Sequence, residues 1–323
     1  MDKKDAIVLV ADAAYLDYAR QVCYSAHRYG NWKGDYVLLV CDCSNADLSW
    51  FTERGVHVYD FELLTKNSIN GWPPVIFHKF YLLHPMMKRW RKLIYLDTDI
   101  MVLKDINHLT KLKGFAASPD HDLLSMRGQF FNMSELRTEL RPKMEYLEQK
   151  YNLNEVSFNV GMMVFDPRKN SMKLFHKALK MLEDYHAVVK YPEQAIFNLF
   201  FYKKWKRLSN YNNYYNPEYV YKQGVKKNHA VILHFIGNSK PWHQDNIMYR
   251  IWVDNLKNAQ HFPEIEQVGI KPHNMLLVYP YAGLHKWYML HIKPRLGHFS
   301  WWCGQRIKRL SPAVYKELKR ILG

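Results

Sequence analysis

Two acidic residues, Asp97 and Asp99, stand one residue apart where an apolar run ends. Residues 93–96 (Leu-Ile-Tyr-Leu) precede the pair, and residues 100–103 (Ile-Met-Val-Leu) follow it. The run predicts a buried strand, because a helix at this place would need a polar face. Side chains two apart on a strand point the same way, so we expect the carboxylates to lie together. They repel each other unless a positive group lies between them, and a divalent cation with oxygen ligands is the natural candidate.

The same pattern also fits a strand that simply ends in a polar turn. The surrounding elements have to distinguish this reading from a cation site. Apolar runs predict strands at 6–10, 36–40 and 56–59, with helices between them that end near Tyr29 and Arg54. This β-α-β-α-β opening predicts an α/β fold, a mostly parallel sheet with helices on both faces. Asp12 follows the first strand, where ligands bind in such sheets, and fits a ligand contact or the N-cap of the first helix.

The chain as far as Asn258 predicts further elements of the same domain. We expect strands at 115–120, 157–166 and 230–235, and helices at 75–87, 135–151, 172–186, 193–201 and 245–258. Residues 66–74 are rich in turn formers and fit either a mobile lid or a long surface loop. Gly161 either lets the backbone approach a ligand closely or marks a bulge. Together these elements predict one domain over residues 1–258 and an extension over residues 259–323.

Charge distinguishes the extension from the domain. The chain of 323 residues has a formal net charge of +16, and residues 271–323 contribute +9 through ten Lys and Arg against one Glu. The same stretch is rich in Tyr, Trp and Phe. Basic and aromatic residues without a spanning helix are typical of attachment to an anionic membrane surface. A folded basic appendage that packs its aromatic residues has the same composition.

The sequence predicts neither a signal peptide nor a spanning helix. The first apolar run, residues 6–11, is too short for a signal-peptide core, and no run approaches about 18 apolar residues. The four cysteines match no zinc spacing and are expected to be reduced. We therefore expect a cytoplasmic protein, peripheral on the cytoplasmic membrane face if the extension binds lipid. The sequence pI of about 9.5 also raises nucleic-acid binding, but without a helix-turn-helix, zinc or RNA-binding signature we expect no specific nucleic acid.

Five short motifs follow one another in a definite order. They are Ala11-Asp12-x-x-Tyr15, Asp97-Thr98-Asp99, Phe158-Asn159-x-Gly161, Glu193-Gln194-x-x-x-Asn198 and His234-Phe-x-Gly237-x-x-Lys240-Pro-Trp-His243. The ordered set resembles glycosyltransferase family eight, retaining enzymes that include glycogenin and bacterial lipopolysaccharide galactosyl- and glucosyltransferases. The resemblance covers residues 6–250, and its ending is more similar to the bacterial group. It implies the GT-A fold, a single Rossmann-like domain that binds a nucleotide sugar.

The resemblance also implies a metal centre and a donor site. Asp97, Asp99 and His234 are implied to bind Mn²⁺, with Mg²⁺ as the alternative, and the ion to hold the diphosphate of a UDP-sugar. Two carboxylates and one imidazole suit such an ion. The implied donor contacts are Ala11, Asp12 and Tyr15 at the nucleoside, Asp97, Thr98, Gly237 and Lys240 near the diphosphate, and Lys79, Asn159, Glu193 and Gln194 around the donor sugar.

The implied activity is retaining transfer of glucose or galactose from UDP-glucose or UDP-galactose to a glycan acceptor, a lipid-linked cell-surface polysaccharide or lipopolysaccharide precursor. Glu193 and Gln194 are the implied catalytic pair, although the family usually has Asp-Gln there, so this carboxylate lies one methylene further out. Gln194 is a poor nucleophile, which favours attack by the acceptor from the face that UDP leaves. The alternative activity is a glycogenin-like self-glycosylating primer, suggested by the tyrosines Tyr211, Tyr214, Tyr215, Tyr219 and Tyr221.

Overall fold

The computed structural model describes residues 3–120, 125–208, 231–238, 240–246 and 248–269, with a few positions between 303 and 314. These residues form a large sheet of seven strands. Its strands are β1 Ala6–Ala11, β2 Asp35–Val40, β3 His57–Asp60, β4 Leu93–Leu96, β6 Phe115–Pro119, β7 Phe158–Phe165 and β8 Trp205–Arg207; two further strands, β5 Ile100–Val102 and β9 Ile232–His234, form a small second sheet. Across the large sheet the order is β3-β2-β1-β4-β7-β6-β8. The predicted α/β class is confirmed.

Strand directions decide which loops meet. β1 is parallel to β2 and β4, β2 to β3, and β6 to β8, whereas β7 is antiparallel to β4 and β6. Because β7 is antiparallel to both β4 and β6, β6 runs in the same direction as β4 and β1. The carboxyl ends of β1, β4 and β6 therefore lie at one edge of the sheet. Asp12, Asp97 and Asp120 directly follow these three strands. The topology thus gathers three carboxylates at a single edge of the sheet.

The apolar runs are continuous because the central strands are covered on both faces. In β1 the side chains of Ala6, Val8 and Val10 pack into one core cluster, and those of Ile7, Leu9 and Ala11 into another on the opposite face. A strand buried on both faces needs no polar alternation, which is the usual case in sheets covered by helices.

Six α-helices flank the sheet in the described residues. They are α1 Leu16–Arg28, α2 Asn45–Thr52, α3 Arg141–Lys150, α4 Met172–Tyr185, α5 Pro192–Phe200 and α6 Tyr249–Asn258. Serine caps start two of them: Ser44 forms a capping box with Asp47 before α2, and Ser171 accepts a bond from the Leu174 N–H before α4.

Two helix predictions were wrong in their detail. The stretch 75–87 forms 3₁₀ helices over Pro74–Leu83 and Pro85–Arg89 instead of one α-helix. His84 between them is extended, with ψ 143°, because the following Pro85 disfavours helical geometry in the preceding residue. α3 begins at Arg141, later than predicted, and Glu135 instead accepts a bond from the Asn132 N–H at 2.6 Å.

The geometric reason given for the acidic pair was also wrong. Asp97 and Asp99 do not alternate on a continuous strand. They lie in a turn between β4 and β5, in which the Ile100 N–H donates to the Asp97 carbonyl at 3.2 Å. β5 then leaves the large sheet and pairs antiparallel with β9, with Ile100 opposite His234. The turn brings the carboxylates together, and the small sheet adds the histidine.

The domain boundary predicted at residue 258 stays a prediction. The described residues just beyond it pack onto the domain: Phe262 is buried in the core, and the Val268 N–H donates to the Arg28 carbonyl at 2.9 Å. The tyrosine cluster 211–221 and nearly all of residues 271–323 lie outside the described residues. Among the helices that are described, none combines the length and the apolar character needed to cross a bilayer.

An ion pair between β4 and β7 gives the fold a testable pH dependence. Asp166, just after β7, contacts Arg168 at 2.6 Å and the buried Lys92 at 3.1 Å. Arg168 and then Lys92, against the opposing effect of burial, hold the pKa of Asp166 well below its usual range. A lowered carboxyl pKa stabilises the fold above the unfolded-state pKa, near 4, and this contribution is lost as the pH falls toward the folded-state pKa.

Asp166→Asn should therefore destabilise the protein by about 1–3 kcal/mol at pH 7, because Lys92 loses its partner. The difference in Tm from the wild type should shrink as the pH is lowered from about 5 to about 2. Asp184→Asn is the matched control, since Asp184 pairs with the exposed Lys180, and should cost less than about 0.5 kcal/mol. A penalty for Asp166→Asn that does not vary with pH would refute this role.

Candidate active site

A cleft of about 380 Å³ opens at the edge of the sheet where β1 and β4 end. The structure brings all of the site residues predicted from the sequence to this cleft: Ala11, Asp12, Tyr15, Lys79, Asp97, Thr98, Asp99, Asn159, Glu193, Gln194, His234, Gly237 and Lys240. They come from six separate stretches of the chain, so the cleft is a product of the tertiary fold.

The acidic pair and the histidine form one cluster. His234 Nε2 lies 3.1 Å from Asp99 Oδ1 and 3.8 Å from Asp97 Oδ2, and one ligand atom from each residue lies within 4.8 Å of the others. Although burial opposes it, His234 and then Lys240 hold the pKa of Asp99 well below its ordinary value. Two carboxylates and an imidazole arranged around one point suit the binding of a divalent cation.

Gly161 on β7 leaves the space for this cluster. A Cβ at this position would lie 2.0 Å from His234 Cε1 and 2.7 Å from Asp97 Oδ2, far closer than carbon and oxygen atoms can pack. The backbone is also fixed here, because the Asp97 N–H donates to the Gly161 carbonyl at 2.8 Å and the Gly161 N–H to Asn159 Oδ1 at 2.7 Å. The pairing of β6 with β7 is also irregular between the Ala117–Met163 and Pro119–Phe158 pairs, so the bulge reading of this glycine fits the structure. Close approach of its backbone to a ligand stays a prediction.

Lys79 connects the cluster of Asp97, Asp99 and His234 to α5. Its ammonium lies 3.0 Å from Asp97 Oδ1 and 3.6 Å from Glu193 Oε1, with 7 % of the side chain exposed. Burial alone would lower the pKa of Lys79, but Asp97 and Glu193 outweigh it and raise the pKa. Burial raises the pKa of Glu193, and Lys79 opposes this. The second oxygen of Glu193, Oε2, is buried without a hydrogen-bond partner in the described structure and is free to accept one from a hydroxyl.

Gln194 is held at both ends of its amide. Its Oε1 accepts from Asn159 Nδ2 at 3.2 Å and from the Val160 N–H at 3.4 Å, while its Nε2 donates to Asp120 Oδ2 at 2.7 Å. Pro192 at the first position of α5 and Glu193 in its first turn are ordinary start signals, so the helix start places the pair at the cleft.

The far end of the cleft is aromatic. Asp12 caps the short 3₁₀ turn Ala13–Tyr15 that precedes α1, by accepting from the Ala14 N–H at 3.1 Å. It also lines the cleft, where its contact with a ligand stays a prediction. Trp242 stacks on Tyr18 with ring centroids 3.9 Å apart and contacts Tyr15 edge-on at 6.5 Å. These contacts attach the segment that carries Gly237 and Lys240 to α1.

The opposite wall of the cleft, beside Glu193, is also apolar and aromatic. Trp72 and Tyr191 approach to 5.7 Å between ring centroids, with Val75 and Ile76 next to them. Trp72 Nε1 donates to the Lys190 carbonyl at 2.9 Å, and Asn70 Nδ2 donates to the His186 and Val189 carbonyls at 2.8 and 2.7 Å. The turn-rich segment 66–74 is therefore fastened to the residues just before α5.

Sequence reasoning missed several residues of the cleft. Asp120 was assigned only to the end of a strand, although it follows β6 as Asp97 follows β4, and that shared position was a usable signal. Tyr95 was treated as a core residue, but its hydroxyl donates to Asp97 Oδ1 at 2.5 Å. A tyrosine in an apolar strand needs a partner for its hydroxyl, which was the available clue. For Trp72 and Tyr191 the sequence carried no specific signal.

Curated relatives and solved structures resemble the chain at low identity. It is 28% identical to the uncharacterized protein R707 of Acanthamoeba polyphaga mimivirus, over 74% of this chain and 82% of that protein. It is 26% identical to the lipopolysaccharide 1,2-glucosyltransferase of Escherichia coli K12, over 54% of this chain and 50% of that enzyme, and 22% identical to the glycosyltransferase GlyE of Streptococcus pneumoniae, over 77% and 60%. The chain thus spans about half the length of the first enzyme and three fifths of the second.

Solved structures match the fold. The galactosyltransferase LgtC, solved with donor and acceptor sugar analogues, superposes with a TM-score of 0.59 at 17% identity, over 78% of this chain and 95% of that one. GlyE of Streptococcus pneumoniae superposes with a TM-score of 0.57 at 20% identity, over 84% and 67%. The predicted GT-A architecture is confirmed. The model of Glycosyl transferase family 8 matches residues 7–246, most of the chain and all of the cleft, and the chain therefore belongs to that family of glycosyltransferases.

Proposed function

We propose that this glycosyltransferase moves glucose or galactose from a UDP-sugar to a glycan acceptor in a metal-dependent reaction that retains the anomeric configuration. One observation carries the proposal: the cluster of Asp97, Asp99 and His234 opens into the same cleft as Glu193 and Gln194. A cation site next to polar groups that can bind a sugar suits the departure of a diphosphate from a sugar, because the cation stabilises the negative charge on the leaving group.

The cleft offers a consistent path for the donor. The nucleoside lies at Ala11, Asp12 and Tyr15, where β1 ends. The diphosphate lies beside Thr98, Gly237 and Lys240; the positive φ of Gly237, 76°, and its missing side chain leave its backbone accessible. The donor sugar then reaches Lys79, Asn159, Glu193 and Gln194, where the unpartnered Glu193 Oε2 accepts a bond from a sugar hydroxyl.

Asp97, Asp99 and His234 would hold the cation, Mn²⁺ or alternatively Mg²⁺. When bound, the ion supplies Lewis-acid stabilisation of the negative charge on the departing diphosphate. Tyr95 and Lys79 both contact Asp97 Oδ1, at 2.5 and 3.0 Å, and so fix the orientation of this carboxylate in the cleft.

The bond between the anomeric carbon and the β-phosphate oxygen breaks, and the acceptor hydroxyl forms the new bond from the same face. Its proton passes to an oxygen of the departing diphosphate. Gln194 does not act as a nucleophile, because its Oε1 already accepts two hydrogen bonds; it lies beside the positive charge that develops on the sugar. Trapping a glycosyl adduct on Glu193 or Gln194 would overturn this assignment.

The acceptor enters beside Trp72 and Tyr191, whose ring faces suit the apolar face of a sugar. A lipid-linked surface glycan is the acceptor we propose, because the lipopolysaccharide glucosyltransferase of Escherichia coli is among the relatives and residues 271–323 carry +9 for an anionic membrane surface. Intact mass after incubation with donor tests the alternative: hexose added to the protein itself would indicate a self-glycosylating primer.

The decisive test is UDP release from a panel of UDP-sugars, with Mn²⁺ and with EDTA. We expect one hexose donor to be hydrolysed slowly in the absence of acceptor and only with the metal. Release that persists undiminished in EDTA would contradict metal dependence, and turnover of a different nucleotide sugar in preference to UDP-glucose and UDP-galactose would contradict the donor.

A further inference from the structure

Each carboxylate of the acidic pair has its own lysine. Lys79 lies 3.0 Å from Asp97, and Lys240 lies 2.6 Å from Asp99 Oδ2 while also donating to the Phe235 carbonyl at 2.8 Å. The other oxygen of Asp99, Oδ1, faces His234 at 3.1 Å. The Lys240 ammonium therefore contacts the carboxylate of Asp99, which is also one of the residues of the candidate cation site.

The two lysines differ in their freedom to move. Lys79 is enclosed, with 7 % of its side chain exposed, and it also contacts Glu193, so it has a second anionic partner. Lys240 is 26 % exposed, faces the open cleft and has Asp99 as its carboxylate partner among the described residues. A lysine side chain has four flexible carbons, so Lys240 can leave Asp99 by side-chain rotation alone.

The charges at the site make such a movement favourable. Lys79 and Lys240 lie next to the carboxylates of Asp97, Asp99 and Glu193, so positive charge is present beside the acidic pair before a cation binds. A divalent cation on Asp99 would add two further positive charges while the Lys240 ammonium remains 2.6 Å from Asp99 Oδ2. A cation and an ammonium that share one carboxylate in a partly buried site repel each other, so they disfavour each other on Asp99.

We propose that Lys240 and the divalent cation compete for Asp99, and that the diphosphate of the donor ends this competition by drawing the ammonium away from the carboxylate. The inference rests on the proposed function of the cleft and adds a coupling between its ligands. The cation binds weakly alone and more tightly with the nucleotide, and by linkage the nucleotide binds more tightly with the cation. Lys240 thus favours entry of cation and donor together.

The opposite role for Lys240 predicts the opposite result. If the lysine only supported Asp99 from behind, its removal would loosen the carboxylate and weaken cation binding. If it competes, its removal strengthens cation binding in the absence of nucleotide. The sign of one affinity change therefore distinguishes the two.

The test is titration of Mn²⁺, followed by electron paramagnetic resonance of the free ion, with wild type, Lys240→Met and the control Lys257→Met. Lys257 is exposed on α6, so its variant makes the same change in net charge away from the cleft. Without nucleotide we expect Lys240→Met to bind Mn²⁺ about 5- to 50-fold more tightly than the wild type, and Lys257→Met to match the wild type. Addition of UDP should tighten Mn²⁺ binding strongly in the wild type and much less in Lys240→Met.

Thermal unfolding gives a second readout that does not depend on turnover. Lys240→Met exposes Asp99 to the charge of Asp97, so its Tm without metal should fall and saturating Mn²⁺ should raise it by more than in the wild type. If Lys240→Met binds Mn²⁺ no more tightly than the wild type does, while UDP still strengthens Mn²⁺ binding in the wild type, the inference is overturned but the metal-dependent function is not. Absence of Mn²⁺ binding from every variant overturns the inference and the metal-dependent function together.

Discussion

Replacing Asp99 with asparagine should lower UDP-sugar turnover by about 10³-fold and remove most of its response to Mn²⁺. Asparagine keeps the size of the side chain but not its charge, so the cation is left with Asp97 and His234 as protein ligands. In addition, Lys240, 2.6 Å from the carboxylate in the wild type, loses its anionic partner. The measurement is kcat/KM across a series of Mn²⁺ concentrations with the donor that the UDP-release panel selects.

Asp254→Asn is the matched control for this variant. Asp254 lies exposed on α6, so it undergoes the same chemical change outside the cleft and should leave kcat/KM unchanged. Circular dichroism on both variants shows whether a loss of turnover is due to unfolding or to the missing carboxylate. An Asp99→Asn protein that turns over the donor at a near-normal rate would show that the cluster of Asp97, Asp99 and His234 does not serve the reaction.

Gly161→Ala should cause a comparable loss, about 10³-fold in turnover, although it replaces no ligand. The added Cβ would lie 2.0 Å from His234 Cε1 and 2.7 Å from Asp97 Oδ2, so the imidazole must move out of the cluster. We expect the imidazole to move rather than β7, because β7 pairs with β4 and its carbonyl at Gly161 accepts from the Asp97 N–H. Overpacking of this kind should also cost about 1–3 kcal/mol of stability.

A double variant identifies the clash as the cause. Replacing His234 with glycine removes the ring that the new methyl group meets, so Gly161→Ala should cost less stability in that background than in the wild type. Mn²⁺ binding should stay lost in the double variant, because the histidine ligand is gone. Wild-type Mn²⁺ affinity in the Gly161→Ala single variant would contradict the close packing of Gly161 against the metal ligands.

Local sequence predicted most of the strands and helices, but β8 was missed, and β5 was expected as the continuation of β4 in one strand. Apolar runs such as residues 6–11 and 93–96 mark strands buried on both faces, and capping residues such as Ser44 mark helix starts, because hydrophobic burial and helix capping act over a few neighbouring residues. The helix predicted over 75–87 failed for a local reason as well: Pro85 forces His84 into extended geometry and divides the segment.

The ordered motifs and Lys79 supplied the predicted site residues, and all of these line the cleft, but further lining residues were not predicted, among them Trp72, Tyr95, Asp120 and Tyr191. What the sequence did not determine is how they meet. The acidic pair meets in a turn, His234 reaches it only because β5 leaves the large sheet to pair with β9, and Asp120 reaches Gln194 only because β7 runs antiparallel between β4 and β6. The lysine contacts of Asp97 and Asp99 likewise join residues 18 and 141 positions apart. Preferences of neighbouring residues determine each strand or helix. Contacts between residues far apart in the sequence depend instead on the strand order and on which charged groups the folded chain buries together, and these are properties of the whole chain.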